Sequence, residues 1–112
     1  MMSDRPTNPY EESVAALDRA YKLATTYVTG LPDQVVAHAV TPADMEAALD
    51  EPLPEDGCDP GEAVEEWFRR AETGIVASSG PRFFGFVIGG TTPAALAGDW
   101  LASAIDQDAG LW

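Results

Sequence analysis

The sequence predicts a mainly α-helical chain, with three to four helices and one short extended segment. Three observations carry this. Apolar residues recur at three- and four-residue steps through "YEESVAALDRAYKLATTYVT". A capping residue stands directly before a proline at Thr41-Pro42, Asp59-Pro60 and Thr92-Pro93, each at the head of a run that suits a helix. Only "RFFGFVIGG" combines aromatic and β-branched residues between glycines, the pattern of a strand or extended segment.

The elements follow in order. Residues 10–29 place Val14, Leu17, Tyr21, Ala24 and Val28 on one helical face. Asn8-Pro9 starts this helix, and Glu11 and Glu12 suit the positive end of its dipole. Gly30 and Pro32 are expected to end it. "VVAHAV" reads as a short extended piece. Thr41 then caps a brief helix from Pro42 to Leu49, with Asp44 at its third position. Pro52, Pro54 and Gly57 make a loop. The helix from Pro60 carries Val64, Trp67, Phe68 and Ala71 on one face and ends near Gly74. After "RFFGFVIGG", the helix capped by Thr92 is apolar or small almost all round, so it is expected to be buried on most sides.

With 112 residues the chain is one domain at most, with room for a small core. Its 19 acids against 6 bases give a net charge of −13. That argues against a phosphate-backbone partner, which needs clustered Lys and Arg, and disfavours an anionic membrane surface. No nucleic acid and no membrane are therefore expected as partners. Cys58 is the single cysteine and His38 the single histidine, so neither a disulfide within the chain nor a Cys/His metal set is available. This cysteine usage points to a reducing, cytoplasmic compartment. The start, "MMSDRPTNPYEES", has no apolar stretch of the secretory kind.

Charge and hydropathy are unevenly divided. The acids crowd between Asp33 and Glu66, where no Lys or Arg stands, whereas beyond Arg82 only Asp99, Asp106 and Asp108 are charged. From Phe83 to Ile105 the chain is long enough to span a bilayer. Gly89, Gly90 and Pro93 divide that stretch, Asp99 would sit in hydrocarbon at a cost of a few kcal/mol, and no basic cluster flanks it. A membrane span is not expected. The last helix instead calls for protein surface that the rest of the chain is too small to supply, either from another chain or from a continuation of this one.

The pattern of residues 81–112, "PRFFGFVIGGTTPAALAGDWLASAIDQDAGLW", resembles the N-terminal region of the group II pyridoxal-phosphate-dependent decarboxylases, the family acting on aromatic amino acids, histidine and glutamate. There an amphipathic helix and an acidic, proline-containing connector precede a second helix. A motif His-Pro-x-Phe-Phe-Gly/Ala follows, then an apolar run, Gly/Ser/Thr residues, Pro-Ala and a long buried helix. The corresponding parts here are residues 10–29, 50–60, 61–74, Pro81-Arg82-Phe83-Phe84-Gly85, and Thr92-Pro93-Ala94-Ala95 with its helix. The departure is Gly80, where many members carry His or Asn. Family members are several times longer. The resemblance therefore implies an N-terminal helical segment over 1–80 and the truncated start of the cofactor-domain region over 81–112, together the N-terminal piece of a fold-type-I transferase-like α/β protein.

It further implies a carboxy-lyase that releases CO₂ from an L-amino acid, with pyridoxal 5'-phosphate held by the full-length protein rather than by this chain. A homodimer is implied, formed through the N-terminal helices and the 93–105 helix. The residues after the Phe-Phe-Gly unit line the family's substrate side-chain pocket; here these are Phe86, Val87, Ile88 and Gly89. Strand alternation would point Phe86 and Ile88 one way and Val87 the other.

No residue of the chain is expected to be catalytic, to bind the cofactor or to hold a metal. Lys22 falls off the apolar face of its helix and stands four residues after Asp18, the spacing of a surface pair. Gly89 to Pro93 offers backbone amides at a helix start, but a glycine turn followed by a threonine cap explains it. His38, between two alanines, reads as structural. Cys58 lies among Asp56 and Asp59, which oppose a thiolate. Asp99, on the apolar helix, is expected to need a hydrogen-bond partner there. The competing functional class is a non-enzymatic acidic helical module that pairs through its apolar C-terminal half.

Overall fold

The computed structural model describes residues 8–110. Helix α1 runs Pro9–Gly30, α2 Pro42–Leu49, α3 Pro60–Ala71 and α4 Pro93–Ile105, with a 3₁₀ turn at Glu72–Gly74. The fold is mainly α, with no strand among the described residues.

All four helices start as the sequence dictates, on a polar cap followed by proline. The Asn8 side-chain oxygen accepts from the Tyr10 amide at 3.0 Å. The Thr41 hydroxyl accepts from the Asp44 amide at 3.1 Å while Asp44 accepts from the Thr41 amide at 2.8 Å, a reciprocal capping box. Those hydrogen bonds, the backbone one foremost, hold the Asp44 carboxyl below its usual value. Asp59 accepts from Glu62 N at 3.0 Å, and Thr92 from Ala95 N at 3.3 Å. Proline at each first turn costs nothing, because that turn's amides lack intrahelical acceptors. Gly30 remains helical rather than ending α1, and the chain leaves the helix through Leu31, Pro32 and the turn after them.

The centre of the fold is α1 against α3, with α2 laid on α3. The α1 residues that lose exposure here include Ala16, Ala20, Leu23 and Tyr27, and α3 contributes Val64, Phe68 and Ala71. Gly61 permits the close approach. A Cβ there would stand 2.7 Å from Arg19 Cδ, in the first turn of α3. Arg19 also reaches Glu65 at 3.1 Å across the two helices. The face marked by Val14, Leu17, Tyr21 and Val28 is not the one that α3 covers; all four remain exposed. Thus α1 has two apolar faces, and α3 partly covers only the one rich in alanine, whose small side chains let helices come close.

The remainder is loosely held. Ala77 N donates to Val36 O at 2.8 Å, tying "VVAHAV" to the segment after the 3₁₀ turn by a single backbone bond rather than a ladder. Helix α4 meets α1 through an edge-to-face pair, Tyr21 and Trp100, with ring centroids 6.5 Å apart and planes at 87°. Against the expectation of a helix buried on most sides, α4 is exposed except at Trp100. The buried apolar residues among those described are Ala71 and Ala77. The radius of gyration is 17.4 Å, against about 13 Å for a compact chain of this length.

The expected extended segment is corrected too. Residues 83–90 form no strand, and Phe86 and Val87 lie in a turn where Phe86 takes φ 56°. A strand exists only through its ladder, and no second strand is present among the described residues to supply one.

Candidate functional site

The segment carried over as a substrate pocket follows the α1–α3 body and precedes α4. Phe83 turns inward and is half-buried. Its ring lies so near Gly85 that a Cβ there would stand 3.0 Å from Phe83 Cζ, which explains a glycine at this point. Beyond it the side chains project outward: Phe86 is 92% exposed, Val87 fully so, and Ile88 half. Gly89 has open space around it. The four residues therefore share a loop but enclose nothing among the described residues. The strand alternation of Phe86 and Ile88 against Val87 does not hold, because the turn at Phe86 breaks the period of two. A phenylalanine at positive φ stores about 1–2 kcal/mol of strain.

A concavity lies elsewhere, between the C-terminal half of α1 and the first two-thirds of α4. It is an open groove of about 830 Å³ whose walls include Tyr21, Val28, Leu96 and Trp100, with Thr91 and Ser79 at its edge, and among the described residues no charged side chain lines it. Sequence reasoning marked Tyr21, Ala24 and Val28 as a face but not the groove. The helical step shows which residues share a face, whereas the crossing of α1 and α4 depends on the loop between them.

A second, more polar hollow of about 580 Å³ gathers Tyr27, His38, Phe68, Glu72 and Thr73 where α1, α3 and the 31–40 segment meet. His38 is exposed, and no cluster of three metal-ligating side chains occurs among the described residues. Cys58 is an exposed thiol. Asp99, expected to need a partner inside a buried helix, is exposed on α4 and solvated. Lys22 pairs with Asp18 at 2.8 Å on the outer side of α1 and lines neither concavity. At the start of α4 the Thr92 hydroxyl takes up the Ala95 amide, the ordinary use of a cap.

The tightest charge cluster is on α3. Glu66 receives Arg69 Nη2 at 2.6 Å and Arg70 Nε at 2.8 Å, and Arg70 reaches on to Glu51 at 2.8 Å, pinning the acidic connector to the helix. The hydrogen bonds from Arg69 and then Arg70 lower the Glu66 carboxyl from 4.5 to about 2. A depressed folded-state value means the contribution is complete above pH 4.5 and disappears as pH falls through about 2. A carbon-detected NMR titration is therefore expected to show Glu66 ionised at pH 3.5, when ordinary glutamates are largely protonated. A midpoint near 4.5 would mean that the cluster does not hold in solution.

No helix among the described residues is long and apolar enough to cross a membrane. No protein-family model, curated protein or solved structure matches the chain.

Proposed function

We propose that this chain is the N-terminal helical segment of a pyridoxal-phosphate-dependent amino-acid decarboxylase, inactive by itself and contributing substrate-pocket residues and assembly surface to a cytoplasmic homodimer. The observation that carries the reading is the run Pro81-Arg82-Phe83-Phe84-Gly85 followed by Thr92-Pro93-Ala94-Ala95 at the head of an apolar helix, in the order in which the family has them. Two structural features support it. The Phe86 turn is strained and its apolar side chains face outward, as expected of a loop shaped for surroundings that lie outside these residues. The second face of α1 and nearly all of α4 are uncovered.

The cofactor does not fit this chain alone. Pyridoxal phosphate requires a lysine for its Schiff base, an anion site for its phosphate and a carboxylate at its ring nitrogen. Lys22 is the only lysine, and it is exposed, paired with Asp18 and outside both concavities. In this reading the cofactor site belongs to other parts of the protein.

Two measurements test the proposal. The purified chain, mixed with pyridoxal phosphate and reduced with borohydride, is expected to give no stoichiometric pyridoxyl adduct; a specific adduct on Lys22 with CO₂ release would contradict the assignment. Reading the gene past the codon for Trp112 tests the rest. A continuing frame with a His-Lys pair in a strand–loop context agrees with a decarboxylase. A stop codon removes the proposal and leaves the second reading, an acidic helical module pairing through its apolar half, which the uncharged α1–α4 groove also favours.

A further inference from the structure

We propose that α4 is a hinged arm that closes the α1–α4 groove by laying its own apolar face on α1. The pivot is the Tyr21–Trp100 pair, where the helices already touch. The joint is the segment before α4. From Phe84 to Thr91 no residue makes a backbone–backbone hydrogen bond among the described residues. Gly89, within that segment, has open space where a side chain would stand and lacks the Cβ that restricts other residues.

The two walls suit each other. Ala24 on α1 and Ala97 on α4 are small enough to let the helix axes approach, and Val28 and Leu96 supply the apolar area to be covered. Among the described residues no charged side chain lines the groove, so closure strands none of their ions. A tether this short holds α4 near α1 at an effective concentration of about millimolar. At nanomolar protein, the chain's own arm therefore outcompetes any second copy for the same face. Closure stands independently of the decarboxylase reading. If that reading holds, the closed arm masks part of the apolar surface and leaves assembly to residues outside the groove, such as Val14 and Leu17.

The experiment uses the full chain with Cys58→Ser and the added pair Val28→Cys and Leu96→Cys, oxidised at nanomolar concentration. The expected result is a disulfide within one chain, formed at a rate unchanged by tenfold dilution. Thiols that stay free, or disulfides found only between chains, overturn the proposal. A second measurement needs no engineered thiols. In a chain keeping only Trp100 (Trp67→Phe, Trp112→Phe), Val28→Asp places a charge on the groove wall and is expected to raise acrylamide quenching of Trp100 several-fold. Equal quenching with and without Val28→Asp means that the groove stays open and the arm is not a lid.

Discussion

Sedimented at micromolar concentration, the chain is expected to run as a dimer or larger species in spite of its net charge of −13. Its accessible surface is 9438 Å², roughly 3,500 Å² more than a compact monomer of this mass would show. A specific dimer hides about 800 Å² per partner, and even with α4 laid on α1 the part of α1 that carries Val14 and Leu17, and Ile105 on α4, lie outside the groove and stay uncovered. Charge repulsion is the opposing effect, and its location decides the outcome. The acids crowd between Asp33 and Glu66, in α2, α3 and the connector, whereas uncharged residues line the α1–α4 groove. At 0.1 M salt, exposed charges more than about 10 Å from a contact are largely screened. Burial of the apolar faces therefore prevails.

The same reasoning names the variant. Leu17→Ala removes an exposed side chain from the uncovered face of α1 and is expected to weaken association by at least about tenfold in Kd, equivalent to about 1.4 kcal/mol. The thermal unfolding of the α1–α3 pair should scarcely change, because Leu17 lies off the face that α3 covers. A cooperative monomer at micromolar concentration would show that α4 finds all its cover within the chain. It would also take away the structural support for a homodimer.

The helices were legible because their signals are local. Thr41, Asp59 and Thr92 each stand beside a proline, and each cap closes with an amide three residues on, so the starts of α2, α3 and α4 needed no tertiary information. The packing was less legible. On α1 the larger residues Val14, Leu17, Tyr21 and Val28 look like the core by hydropathy, yet α3 lies over the alanine-rich side, where the Arg19 side chain passes close to Gly61. Size marked the wrong face because helix pairs select for shape as well as for apolar area. "RFFGFVIGG" failed differently. Its composition suits a strand, but a strand is a property of two segments, and its partner is not among the described residues. The candidate pocket inherits that limit. Phe86 to Gly89 follow from resemblance, and only their exposure and the turn at Phe86 come from the structure.

If the decarboxylase proposal holds, Ile88→Ala in the full-length enzyme is expected to change discrimination among amino-acid substrates. If Phe86, Val87, Ile88 and Gly89 line the substrate site, removing Ile88 beyond Cβ takes away apolar wall. The expected size is about 1–3 kcal/mol in relative kcat/KM between large and small side chains, the value of a few methylenes in an apolar pocket. Cofactor content should be unchanged, since no residue in this loop supplies a Schiff-base lysine or a charged phosphate contact. The structure provides the control for folding. Ile88 is half-exposed here and lies in a loop outside the α1–α3 core, so Ile88→Ala in the isolated chain should leave the melting of α1 and α3 nearly unmoved. A change of selectivity in the full-length enzyme, beside an unchanged melt in the isolated chain, would place Ile88 at the substrate. An unchanged ranking of substrates, with only a loss of stability in the full-length enzyme, would make the loop packing surface against the rest of the protein, and the assignment of Phe86 to Gly89 as a pocket would then be wrong.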